Sequence, residues 1–225
     1  MVIFAKRVGL ITIGQSPRVD VVPEIRRVLD GSDVELIECG ALDRLSREEV
    51  ATLAPREGEY VLVTRLRDGS EVRVTRERVL PLVQECVDIL EPQVDLIGLL
   101  CTGEFPELRS RKLLIEPSVL LLKVVESLKV NKLGVVVPDP AQVDPARRRW
   151  RHVTSDLKVV SVSPYTGTLN ELRRASEELR DRDLIVLDCI GFSTEAKRVV
   201  AEATGRPVLL PRTLLARVLR ELVEG

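Results

Sequence analysis

The chain alternates short aliphatic runs with longer stretches in which apolar residues recur every three or four positions. That alternation is the pattern of parallel strands, buried on both faces, joined by crossover helices. The aliphatic runs predict strands near 7–13, 34–38, 94–100, 132–137, 157–162, 183–188 and 207–209. Between them Val79, Leu80, Val83, Val87 and Leu90 fall on one helical face, as do Leu214, Leu215, Val218, Leu219 and Leu222 near the end. Ser46 and Glu49 form a capping box at a helix start. YVLVTRLRDGSEVRVT, residues 60–75, breaks the parallel theme: it alternates about Asp68-Gly69 and predicts an antiparallel hairpin.

The pattern also repeats. DLIGLLCTGE at 95–104 and DLIVLDCIGF at 183–192 share Asp, Leu, Ile, Leu, Cys and Gly at the same places, and KRVGLITIG at 6–14 resembles NKLGVVVP at 131–138. Gly9 to Cys101 spans 92 positions and Gly134 to Cys189 spans 55, so the first half is 37 longer, about the size of the stretch holding capping box and hairpin. The expected architecture is α/β: two similar lobes, each a mostly parallel sheet flanked by helices, related by a pseudo-two-fold. Lobe 1 is expected to comprise 1–117 plus 206–225, with the hairpin insertion at about 44–76, and lobe 2 to comprise 118–205. Nothing reads as a flexible linker, so the lobes should pack closely, exchange helices at their seam and hold a site in the cleft between them.

Composition narrows the function classes. With 225 residues and a formal net charge of -1, the chain can bury a large core and has no general attraction to nucleic acid or anionic membrane. The apolar opening is interrupted by Lys6 and Arg7 and is neither a signal peptide nor a membrane span, which points to the cytoplasm. Four cysteines without a CxxC pair are then expected as free thiols. The single histidine, His152, lies in the basic run ARRRWRH, which reads as a solvated helical face with Trp150 turned inward. A Ser-His-Asp triad or a His-rich zinc site would have to use that one residue, and no dinucleotide or Walker fingerprint appears.

What remains is the repeated cysteine. Ligands of an open parallel sheet bind beyond the carboxyl ends of its strands, where Cys101 and Cys189 both fall. A thiol at a helix N-terminus has its pKa lowered from about 8.5 toward neutrality. Two such thiols facing one cleft suit the removal and return of a carbon-bound proton. The plainer alternative is a pair of core cysteines. Against it, both copies place a glycine two positions later, Gly103 and Gly191, where a backbone can approach a ligand closely. Cys86 reads as core on its helix, and Cys39 has no counterpart in the second half. A second candidate element is IGQSPR: Gly14 after a strand, Ser16 as N-cap, Pro17 as first helical residue, with Gln15, Ser16 and Arg18 as donors to a carboxylate or phosphate. It reads equally as a plain strand-to-helix turn.

LITIGQSPRVDVVPE, GALDRLSREEVATLAPREGE, LLIEPS, GVVVP and LDCIGF, in that order, resemble the AroM family over nearly the whole chain. That family is named for a gene neighbourhood in aromatic biosynthesis, and the resemblance brings no established activity. More distantly, the paired unit is similar to the aspartate/glutamate racemase superfamily. That resemblance implies two cysteines facing each other across the cleft, here Cys101 and Cys189, acting without cofactor or metal. It also implies a contribution from the first-strand loop, here Gln15 and Ser16. Amino-acid racemases of that group follow the cysteines with Asn-Thr and Thr-His, whereas this chain has Thr102-Gly103 and Ile190-Gly191, leaving Thr102 and backbone N–H groups as donors. The expectation is therefore a racemase- or isomerase-like enzyme acting on a small carboxylic acid, with no nucleic-acid or membrane partner and a homodimer allowed. The alternatives are a small-ligand binding or regulatory protein, and a lyase using one thiol.

Overall fold

The computed structural model describes residues 5–224. The two halves match strand for strand. In the first sheet, central β1 (Lys6–Thr12) pairs in parallel with β2 (Val34–Gly40) and with β5 (Leu96–Leu100), and β5 pairs with β6 (Leu113–Ile115). In the second, central β7 (Lys132–Val137) pairs with β8 (Asp156–Ser161) and β9 (Leu184–Leu187), and β9 pairs with β10 (Val208–Leu209), again all parallel. The two similar glycine-bearing runs thus become the two central strands, and the two cysteine-bearing runs become equivalent neighbours, β5 and β9. Both faces of each sheet are covered, which is why these strands read as unbroken aliphatic runs.

Helix α1 (Val22–Val28) packs on one face of the first sheet and α3 (Arg76–Leu90) on the other, burying Val79, Val83, Val87 and Leu90 as the stripe predicts. Short α2 (Arg47–Thr52) starts at the expected capping box: Ser46 Oγ accepts from Glu49 N, and Glu49 accepts from Ser46 N. In the second half α5 (Val143–Trp150) covers one face, and α6 (Leu169–Glu177) with α7 (Thr194–Thr204) covers the other.

The halves interlock through the helix that follows each fourth strand. Helix α4 (Pro117–Leu128) leaves the first sheet and buries Leu121 and Val125 in the core of the second, while α8 (Pro211–Val223) leaves the second and buries Leu215, Ala216 and Leu219 in the core of the first. Leu222, placed on the stripe from sequence, is exposed at 43%. This exchange shifts one expected boundary. Residues 206–225 do not all belong to the first lobe, because β10 hydrogen-bonds to β9; only α8 crosses over.

The insertion folds as the predicted hairpin, β3 (Val61–Arg65) against β4 (Glu71–Thr75). It reaches across to the second half: Gln142 Nε2 donates to Val61 O at 2.9 Å, Arg73 pairs with Asp139 at 3.0 Å, and Ser163 donates to Glu71. Gly14 makes this possible, since a Cβ there would lie 2.4 Å from both Arg65 O and Thr64 Oγ1 on β3.

Two cysteines depart from expectation. Cys39, on β2, and Cys86, on α3, form a disulfide with their Cα atoms 5.7 Å apart, so they are not free thiols. They lie 47 positions apart in sequence, and only the packing of α3 against the end of β2 brings them together. Among the described residues no helix is long and apolar enough to cross a membrane.

Candidate functional site

Cys101 follows β5 and Cys189 follows Asp188 at the end of β9, so the equivalence of these strands sets the two thiols at matching places in the two halves. Both line one small cavity at the seam, which encloses about 30 Å³, the room of about one water molecule. Each sulfur accepts a hydrogen bond from the glycine N–H two positions on, Gly103 N at 3.2 Å and Gly191 N at 3.4 Å. Lack of room for a side chain is why the repeat carries glycine there. A Cβ at Gly103 would meet Leu62 of β3 at 2.7 Å, and one at Gly191 would meet the Tyr165 ring at 2.6 Å. The hairpin supplies a further wall through Tyr60, Val63 and Thr64.

The electrostatics differ from the expectation of lowered pKa values. Burial pushes the Cys101 thiol up to about 12 and the Cys189 thiol to about 11. The glycine N–H groups and the Arg18 charge oppose this rise without cancelling it. No helix begins at either cysteine: the chain after Cys101 runs irregularly to β6, and α7 starts only at Thr194 with Ser193 as its cap. Dipole stabilisation fades beyond the first turn of a helix, so neither thiol gains it.

The other sequence-predicted residues divide. Thr102, Gly103 and Ile190 line the cavity with the cysteines. The Thr102 hydroxyl donates to Asp188 O at 3.1 Å and so ties the ends of the equivalent strands together. Ile190 buries its side chain in the first core, and Gly191 lies beside an adjacent cavity of about 300 Å³. Gly14, Gln15 and Ser16 do not line the cysteine cavity. Ser16 caps no helix, since α1 begins at Val22; instead it donates to Asp43 through both N and Oγ. Gln15 binds Leu42 O and Arg67 N, which fixes the loop to the hairpin. Arg18 is 2% exposed and pairs with Asp20, Thr12 Oγ1 and the Tyr165 hydroxyl, so it acts on the thiols by its field and not as a wall.

Sequence reading missed the polar floor. Asp188 Oδ2 accepts from Trp150 Nε1 at 2.9 Å and pairs with Arg149 at 3.4 Å; Arg149 also donates to Thr102 O and Ser118 O. The basic run is thus only partly a solvated face: Arg147 and Arg148 are exposed, but the Arg149 side chain is 8% exposed and turned inward beside Trp150. The signal available in sequence was Asp188 itself, a carboxylate set in an otherwise aliphatic run. Among the described residues no cluster of His, Cys, Asp and Glu is arranged to hold a metal ion.

The family model of the AroM protein matches residues 8–223. The chain belongs to the AroM family. Among curated proteins no relative matches. Solved structures resemble this AroM-family chain in fold at low identity. They include the aspartate racemase of Picrophilus torridus, at 15% identity and TM-score 0.63, covering 97% of this chain and 94% of that one. The allantoin racemase from Klebsiella pneumoniae has 14% identity and TM-score 0.62, covering 97% and 87%. A cysteine mutant of the Nocardia farcinica maleate cis-trans isomerase, with a covalently bound succinylcysteine intermediate, has 17% identity and TM-score 0.60, covering 96% and 92%. At such identities the likeness establishes that the AroM-family chain has the two-lobed fold of these racemases and isomerases.

Proposed function

We propose that this AroM-family protein is a racemase- or isomerase-like enzyme of the cytoplasm that acts on a small carboxylic acid without a cofactor, with Cys101 and Cys189 as paired acid and base. The observation that carries the reading is the shared cavity, in which two thiols from equivalent strand ends each hold a backbone N–H. One sulfur, as thiolate, takes the proton from the carbon beside the carboxyl group; the other thiol returns a proton from its own side, which restores a thiol and a thiolate with the roles exchanged. Because burial is the largest cause of the raised pKa values, the thiolate forms when the walls part and water or substrate enters, where the Gly103 and Gly191 N–H groups and Arg18 favour the charged form. The same parting admits a substrate that a cavity of about 30 Å³ does not hold. The fold's likeness to racemases supports the reading, as does the isomerase whose structure carries a succinylcysteine, an example of cysteine chemistry on this scaffold.

The test is exchange of the α-proton of small acids with deuterated water. Cys101→Ala and Cys189→Ala are each expected to abolish exchange while leaving the circular dichroism spectrum and melting temperature near wild type. Retained exchange in both variants sinks the proposal. One observation favours a second reading, a ligand-binding protein without chemistry: both thiols are held neutral in the closed form. That reading predicts ligand-induced stabilisation in both cysteine variants and no exchange in the wild type. Release of carbon dioxide dependent on one cysteine alone would mark a lyase.

A further inference from the structure

Beside the cysteine cavity, and sharing with it only the Tyr60 wall, lies a cavity of about 410 Å³. It forms where the first turns of α3 and α4 meet the loop after Cys101, and Tyr60, Phe105, Pro106, Val119 and Leu122 give it apolar walls. Sites for small organic molecules have about this size and character, roughly 300–1,000 Å³ and mostly apolar with a few polar groups. The charges around it are unbalanced, because Glu77, Glu104 and Glu116 stand against Arg76 alone.

Contacts within the protein satisfy two of these four groups. Arg76 Nε donates to Glu104 O, its other nitrogens pair with Glu107 and with Glu77 at 3.7 Å, and its guanidinium lies over the Phe105 ring, 5.8 Å from the ring centre. Glu77 also accepts from Thr75 Oγ1 at 2.6 Å. Arg76 is thus committed and is not a free cation for an anionic ligand. Glu104 and Glu116 remain. Among the described residues neither carboxylate pairs with a basic group: Glu104 meets Arg76 only through its backbone oxygen, and Glu116, at the N-cap of α4, makes no capping bond with its side chain. The two are close enough to repel. Burial, and after it the Glu104 charge, hold the Glu116 carboxyl above its ordinary range. An apolar hollow that keeps two like charges together without a counter-charge is complementary to a cation with an apolar body.

We infer that this cavity binds a small organic cation, an ammonium group on an aromatic or aliphatic body, with Glu104 and Glu116 as its counter-charges and the apolar walls around its body. The site is separate from the thiols and does not depend on the chemistry proposed for them. A carboxylate, the class proposed for the thiols, is repelled here by the same two residues.

The experiment uses the full chain and two probes of nearly one shape, phenethylamine, a cation at neutral pH, and 2-phenylethanol, which is uncharged, with binding followed by ligand-observed NMR. Wild type is expected to bind the amine about tenfold more tightly than the alcohol, the order that a hydrogen bond to a charged group supplies. Added salt should weaken the amine and leave the alcohol unchanged. Glu104→Gln and Glu116→Gln keep the size of the side chain and remove one charge each, so each should shrink the preference for the amine by weakening the amine alone. Glu104 is exposed, so its variant should keep the wild-type melting temperature, and it serves by itself if Glu116→Gln does not fold. An amine bound by wild type no more tightly than the alcohol, no response to either included, overturns the inference. So does a preference left intact in every folded variant, since the amine would then be held elsewhere.

Discussion

At the scale of single residues the molecule turns on how much burial a thiol tolerates. Cys101 and Cys189 hold their protons more tightly in the folded state, near 12 and 11, than an ordinary thiol near 9.0. Their contribution to stability is therefore full below about pH 9 and is lost as pH rises toward 11 to 12, because the unfolded chain releases protons that the folded chain retains. Urea midpoints between pH 8 and 10 should fall with pH in wild type and fall less in a Cys101→Ala/Cys189→Ala variant. Equal slopes would show that the thiols are not held neutral. Tyr60 and Tyr165, also pushed up by burial, add slope from about pH 9 in both proteins, so the difference between the two slopes isolates the cysteines. The repeated Cys-x-Gly was legible in sequence as a matched pair of strand ends. The protonation state was not, because it depends on what buries the sulfurs, and the cavity they share is walled by Tyr60, Thr64, Tyr165 and other residues far along the chain.

At the scale of elements the hairpin walls the cysteine cavity through Tyr60, Val63 and Thr64. It belongs to the first half by sequence, yet three side-chain contacts tie it to the second, through Gln142 to Val61 O, Arg73 to Asp139, and Ser163 to Glu71. Arg73 is half-exposed, so its pair with Asp139 adds little to global stability. It does tie the hairpin wall to the second half. Arg73→Ala should raise the rate at which a water-soluble disulfide reagent labels Cys101 and Cys189, with the melting temperature little changed; an unchanged labelling rate would mean the thiols are reached by another route. The hairpin itself was plain from alternation about Asp68-Gly69. Its position over the cysteines was not, since nothing local to 60–75 says which surface the ribbon lies on.

At the scale of the whole molecule, stability is shared between interlocked halves and a cross-link. Helices α4 and α8 each complete the core of the opposite half, so neither half has its own full core. The Cys39–Cys86 bond closes a loop of 47 positions that contains the hairpin, and chain entropy assigns such a loop roughly 4 kcal/mol. A Cys39→Ala/Cys86→Ala variant should lose stability of that order in urea unfolding, seen as a lower midpoint with a similar slope. An unchanged midpoint would show that the loop is held elsewhere.

Legible in the order of residues were the α/β class, the ten-residue echoes that became equivalent strands, the capping box, the hairpin and the pairing of Cys101 with Cys189 as matched positions. Each of these is written in nearest-neighbour or short-period patterns that backbone geometry reads locally. The rest came from long-range packing: that β10 joins the second sheet while α8 returns to the first, that Cys39 meets Cys86, that Gln15 and Ser16 accept from Arg67 and brace the hairpin loop, and that Arg149 and Asp188 floor the cavity. These depend on contacts between segments tens of residues apart. Such contacts form only when the apolar faces of the sheets and helices are buried together, and burial is non-directional, so no local pattern announces which side chains it will bring face to face.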